Sequence, residues 1–125
     1  MTNLAWLAFL VAAAIGAPAR YVIDGFVQNH TEGSFPWGTF VVNISGCLAL
    51  GTITGLGLYH SLDATTRVVV GIGGMGAYTT FSTFTFETVR LAEEGATVEA
   101  LRNVAASFIV GLAAASAGLA LMALV

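Results

Sequence analysis

Two groups of polar residues stand inside otherwise apolar runs, and they are where this chain could do chemistry. In the first, Thr39, Asn43 and Gly46 follow at steps of four and three, which in a helix gathers them on one small, polar face. In the second, Gly71, Gly73, Gly74 and Gly76 lead into Tyr78-Thr79-Thr80-Phe81-Ser82-Thr83-Phe84, where hydroxyls alternate with aromatic rings. The Asn43 amide and the Thr and Ser hydroxyls can donate hydrogen bonds, and a phenyl ring carries a positive edge. Together they suit a small, strongly hydrated anion, which crosses an apolar barrier only where donors replace its water, and weak repeated sites let it leave again. Plainer readings stand beside this one. Asn43 could instead bond another helix, and Phe81 and Phe84, three residues apart, could be ordinary core.

Other polar residues carry weaker signals. Arg20 could concentrate anions at a vestibule or pair with Asp24 four residues on. Ser107 lies one turn past Asn103, where the ordinary state of a lone helical serine is a bond to the carbonyl one turn back. Cys47 stands alone in an apolar run and reads as a packing residue. His30 and His60 fall in connections. No serine-histidine-acid set, metal-ligand cluster or phosphate loop is present, so nothing here points to an enzyme.

The elements that must position these residues are membrane helices. The chain is 57% hydrophobic and 9% charged, against roughly 25% charged in a soluble domain, so a water-soluble globule is excluded. Four apolar segments, about 4–27, 37–59, 67–89 and 100–125, meet the roughly 20 residues that a crossing needs, and they take up the chain as one domain, 1–125. The first lacks a positive leader and is read as a retained helix rather than a signal peptide. Short linkers with turn formers make successive helices antiparallel neighbours. With four arginines and no lysine there is no polybasic stripe to hold a phosphate backbone or an anionic lipid surface, and nucleic-acid binding is set aside. The third segment makes a poor continuous helix, because each glycine costs about 1 kcal/mol relative to alanine in a helix interior. It is expected to break near its middle and line an ion site, or else to run kinked and dry through its glycines. The arginine bias between the two sides is small, which allows insertion both ways and antiparallel self-pairing. Four helices fill their own core, so a pathway calls for a second subunit.

Gly16-Ala17-Pro18-Ala19-Arg20-Tyr21, Gly38-Thr39 with Asn43 and Gly46, and Gly71 to Phe84 ending Thr79-Thr80-Phe81-Ser82-Thr83-Phe84 together resemble the CrcB or Fluc family of fluoride channels. The resemblance spans nearly the whole chain, and the third-segment motif is its specific element. It implies an all-α, dual-topology antiparallel dimer in the bacterial or archaeal cell membrane, with two fluoride pores and a structural sodium ion at the interface. It puts Asn43, Phe81 and Phe84 along the pore, with Thr39, Ser82, Thr83 and Ser107 continuing a polar track and Arg20 in a vestibule. Main-chain carbonyls of Gly76 and Thr79 would hold the sodium. The implied role is passive fluoride export by a homodimer, with a paired homologue as the alternative partner. Where relatives resemble a tyrosine before Ser107, this chain has Asn103 or Val104. A proton-coupled drug exporter of the small multidrug resistance kind is similar in outline only, since Leu4 to Ala19 hold no carboxylate.

Overall fold

The computed structural model describes all residues, Met1–Val125, and every regular element is helical. Helix α1 (Asn3–Asn29) starts where the Thr2 hydroxyl accepts the Ala5 N–H at 3.2 Å, satisfying one of the amides a helix start leaves open. Helix α2 (Trp37–Tyr59) returns across the layer. The third crossing is composite: α3 (Ala64–Thr66), a π-helical stretch (Arg67–Met75), α4 (Gly76–Tyr78) and α5 (Phe81–Glu93). Gly95, at φ +81°, turns the chain into α6 (Thr97–Leu124).

Helices α1, α2 and α6 are each long and apolar enough to cross a membrane. The pieces of the expected third crossing are individually too short to span a membrane. Only 21 of 125 residues are buried, while large apolar side chains such as Leu4, Ile15, Leu112 and Leu124 face outward, as a lipid solvent permits. Lipid supplies no hydrophobic drive between helices, so association rests on close backbone approach. A Cβ on Gly51 would overlap the Ala115 carbonyl, and one on Gly118 the Leu48 carbonyl, so α2 and α6 sit nearly in backbone contact.

The third crossing does break near its middle, but not in the glycines. Gly76, expected within the break, has helical φ and ψ of −64° and −35°. The glycine run instead widens into π-helix and packs on α1, where Gly73 meets Phe9 and Gly74 lies over Gly16. The interruption is Thr79 and Thr80, both extended, with ψ of 162° and 125°.

Candidate functional site

Thr80 is extended because Asn43 of α2 takes both of its main-chain groups. The Asn43 amide N–H donates to the Thr80 carbonyl at 2.9 Å, and the Thr80 N–H donates to the Asn43 side-chain oxygen at 2.8 Å. One side chain thus does for Thr80 what a neighbouring strand would do, and removes the N–H that a continuous helix would have used. The second N–H of the Asn43 amide has no acceptor in the chain. Asn43 therefore acts as interhelical glue while still facing a cavity with a free donor.

Both sides of the break are finished by hydroxyls. The Thr79 hydroxyl returns to the Met75 carbonyl at 2.9 Å, and the Tyr78 and Ser45 hydroxyls meet at 2.8 Å, fixing the first half on α2. On the far side the Thr80 hydroxyl accepts the Thr83 N–H at 3.2 Å and lies 3.3 and 3.1 Å from the Ser82 and Thr83 hydroxyls. Ser82 and Thr83 thus serve the cap of α5. The N–H groups of Phe81 and Ser82, at the positive end of that helix, have no acceptor. In the other direction, the carbonyls of Gly76, Ala77 and Tyr78 receive no N–H. Arg20 reaches the Thr79 carbonyl at 3.3 Å and forms no ion pair with Asp24.

A cavity of about 470 Å³ opens beside the break. Of the residues singled out from sequence, Asn43, Thr79, Phe81, Phe84 and Ser107 line it, together with Thr80. Phe84 is buried and Phe81 is 74% exposed, with ring centroids 5.8 Å apart, so Phe81 projects from the subunit at mid-crossing. The Ser107 hydroxyl makes no bond to the carbonyl one turn back and stays free in the cavity wall. Asn103 turns away from it: buried, it donates to the Thr88 hydroxyl at 2.8 Å, which donates to the Phe84 carbonyl at 2.7 Å. Thr39, Arg20, Gly76, Ser82 and Thr83 lie outside the lining. Thr39 is buried with its hydroxyl unpartnered, one turn before Asn43. Sequence reading placed Thr80 in the hydroxyl run but gave it no role of its own, although a Thr just before an apolar helical run is a helix-start signal. It also left out the cavity's apolar wall of Leu50, Phe108, Leu112 and Ala115, which has no polar signal at all.

An interrupted crossing beside a donor-lined cavity, among three further membrane helices, defines a multi-pass membrane protein with the architecture of an ion pathway. The family described as "CrcB-like protein, Camphor Resistance (CrcB)" matches residues 7–119, and the chain belongs to that family. It is 46% identical to the fluoride-specific ion channel FluC 1 of Streptomyces avermitilis, over 90% of this chain and 91% of that one. It is likewise 46% identical to FluC 1 of Frankia casuarinae, over 93% and 94% of the two chains. Against FluC of Nitratidesulfovibrio vulgaris the identity is 52%, over 68% and 69%. These relatives are named as channels, not enzymes.

Proposed function

We propose that this chain is a fluoride-selective channel that exports the ion passively across the cell membrane. The observation that carries the reading is the Asn43–Thr80 clamp, which holds a crossing open beside Phe81 and Phe84 at the cavity. The names of the relatives support the choice of ion. Fluoride would exchange its water in steps for the spare Asn43 N–H, the Ser107 hydroxyl and the phenyl edges. Thr39 extends the donor row along α2, and Ser82 and Thr83 hold the α5 start in place. None of these groups bears a full charge, so none traps the ion. Close donors reward the smaller halide, because attraction rises as separation falls. Arg20, turned onto the Thr79 carbonyl, adds positive potential near the break. Fluoride enters cells from acidic surroundings as the neutral acid and dissociates, so efflux down its gradient needs no energy source.

The working unit in this reading is a homodimer of oppositely oriented subunits, joined over the face from which Phe81 projects. The same break suits a structural sodium ion. Three open carbonyls and the second lone pair of the Thr79 carbonyl are hard oxygen donors, and Gly76 and Thr79 of each subunit would hold the ion. Its charge would offset the converging carbonyl dipoles and tie the subunits together.

Efflux from liposomes loaded with potassium fluoride, started by valinomycin and read with an ion electrode, tests this. Rapid fluoride release, negligible chloride release and loss of flux in Phe81→Ile are expected. A folded, dimeric protein that releases no fluoride would sink the channel reading. A purified chain that stays monomeric would point instead to a paired relative as the partner.

A further inference from the structure

Arg67 is the one arginine of four for which the fold provides no acceptor. Arg20 bonds the Thr79 carbonyl, Arg90 lies 3.7 Å from Glu94, and Arg102 lies 2.8 Å from Glu99. The Arg67 Nε, by contrast, is buried with no hydrogen bond. The nearest acid along the chain, Asp63, spends its carboxylate on the N–H and hydroxyl of Thr66. Arg67 is also held flat against α2: a Cβ on Gly57 would stand 2.8 Å from both its Nε and Nη1. The guanidinium is thus fixed near one end of α2 and at the start of the third crossing, at the level where headgroups lie.

Below it runs a cavity of about 320 Å³ between α2 and the third crossing, walled by Leu50, Ile53, Val68, Gly71 and Ile72. It shares only Leu50 with the cavity at the break, so it is a separate compartment nearer the surface. The Thr54 hydroxyl at its edge is committed to the Leu50 carbonyl at 2.8 Å, which leaves Arg67 as its only free side-chain donor. A hydrated inorganic ion would find one contact here and an apolar wall. An amphiphile finds both of its halves matched.

We propose that this cavity binds an anionic phospholipid, with the phosphate on the Arg67 fork and an acyl chain along the Leu50, Ile53 and Ile72 wall. The guanidinium matches phosphate oxygens two at a time, and basic pockets between membrane helices are where anionic headgroups settle. The exposed carboxylate of Asp63 is the one opposing charge nearby, and its commitment to Thr66 keeps it turned to the helix start.

The test is thermal unfolding of the purified protein in detergent, without fluoride, on adding phosphatidylglycerol or phosphatidylcholine, so its outcome is independent of conduction. Phosphatidylglycerol is expected to raise the midpoint of the wild type and Arg67→Lys more than phosphatidylcholine does. The excess should vanish in Arg67→Gln and in Ile72→Trp, which fills the trough but keeps the cation. Equal stabilisation of wild type and Arg67→Gln overturns the proposal. So does an excess that survives Ile72→Trp, or inorganic phosphate reproducing the whole effect, since either means a headgroup-only anion site. A shift that follows the dimer fraction rather than the lipid overturns it too, by making a second copy the occupant.

Discussion

Helix α2 is held from its two sides by opposite means. Toward α6 it meets a seam of missing side chains, where Gly51 and Gly118 let backbones touch and one polar tie, from His60 to the Met122 carbonyl at 2.8 Å, closes the end. Toward the third crossing the decisive contact is the reciprocal pair of hydrogen bonds between Asn43 and Thr80. The seam works by dispersion summed over many atoms, and it is indifferent to ions. The clamp works through two directed bonds and holds open the broken side of the cavity, whose opposite wall is α6. Stability and conduction are therefore written into different faces of one helix.

Substitutions can separate the two faces. The largest effect is expected from Gly118→Leu, whose Cβ would overlap the Leu48 carbonyl and stand 2.7 Å from the Thr52 nitrogen. Backbone cannot yield as a side chain can, so a loss of at least about 3 kcal/mol follows, read as failure to recover folded protein. Asn43→Leu comes next. It strands the N–H and carbonyl of Thr80 at about 1–3 kcal/mol each, yet leaves the seam whole. Folded protein with flux reduced more than about tenfold is expected, and unchanged flux would break the contrast. Asn103→Leu removes one bond, to a Thr88 hydroxyl that keeps its own acceptor. It should cost about 1 kcal/mol in unfolding and leave selectivity for fluoride over chloride intact. A changed selectivity would place Asn103 with the clamp rather than the scaffold.

The smallest effect belongs to Asp63, outside both faces. Hydrogen bonds from Thr66 hold its carboxyl below the usual carboxylate range. A lowered folded value means that its contribution is complete above the ordinary value and is lost as pH falls through the lower one. The wild type should therefore unfold slightly above Asp63→Ala at neutral pH, and the gap should close only below about pH 4. A gap that persists in stronger acid would show that the carboxylate's charge plays no part.

Three of the four expected apolar segments are helices long and apolar enough to cross a membrane, and α2, expected over 37–59, spans Trp37–Tyr59. Legible too was the polar face carrying Thr39, Asn43 and Gly46. The position of the break was legible in part: expected at Gly76 and Thr79, it includes Thr79 but not Gly76. Glycine is a weak helix former, which drew the expected interruption toward Gly76, but in a membrane the same missing side chain is a means of close packing, and α1 uses it. What stops the helix is an amide from another segment competing for the N–H of Thr80, a cause with no local sequence signal. The turning of Asn103 onto Thr88 was hidden for the same reason: spacing along α6 shows which residues share a face, not which neighbour that face meets.

The composite third crossing has a consequence for how the protein is made. As it leaves the ribosome, this segment offers the membrane a run of short helical pieces and an extended Thr80 whose N–H and carbonyl lack partners until Asn43 supplies them. Its insertion is then expected to wait on α2, the two entering as one hairpin, so that an error in the second segment is felt first as a translocation failure of the third.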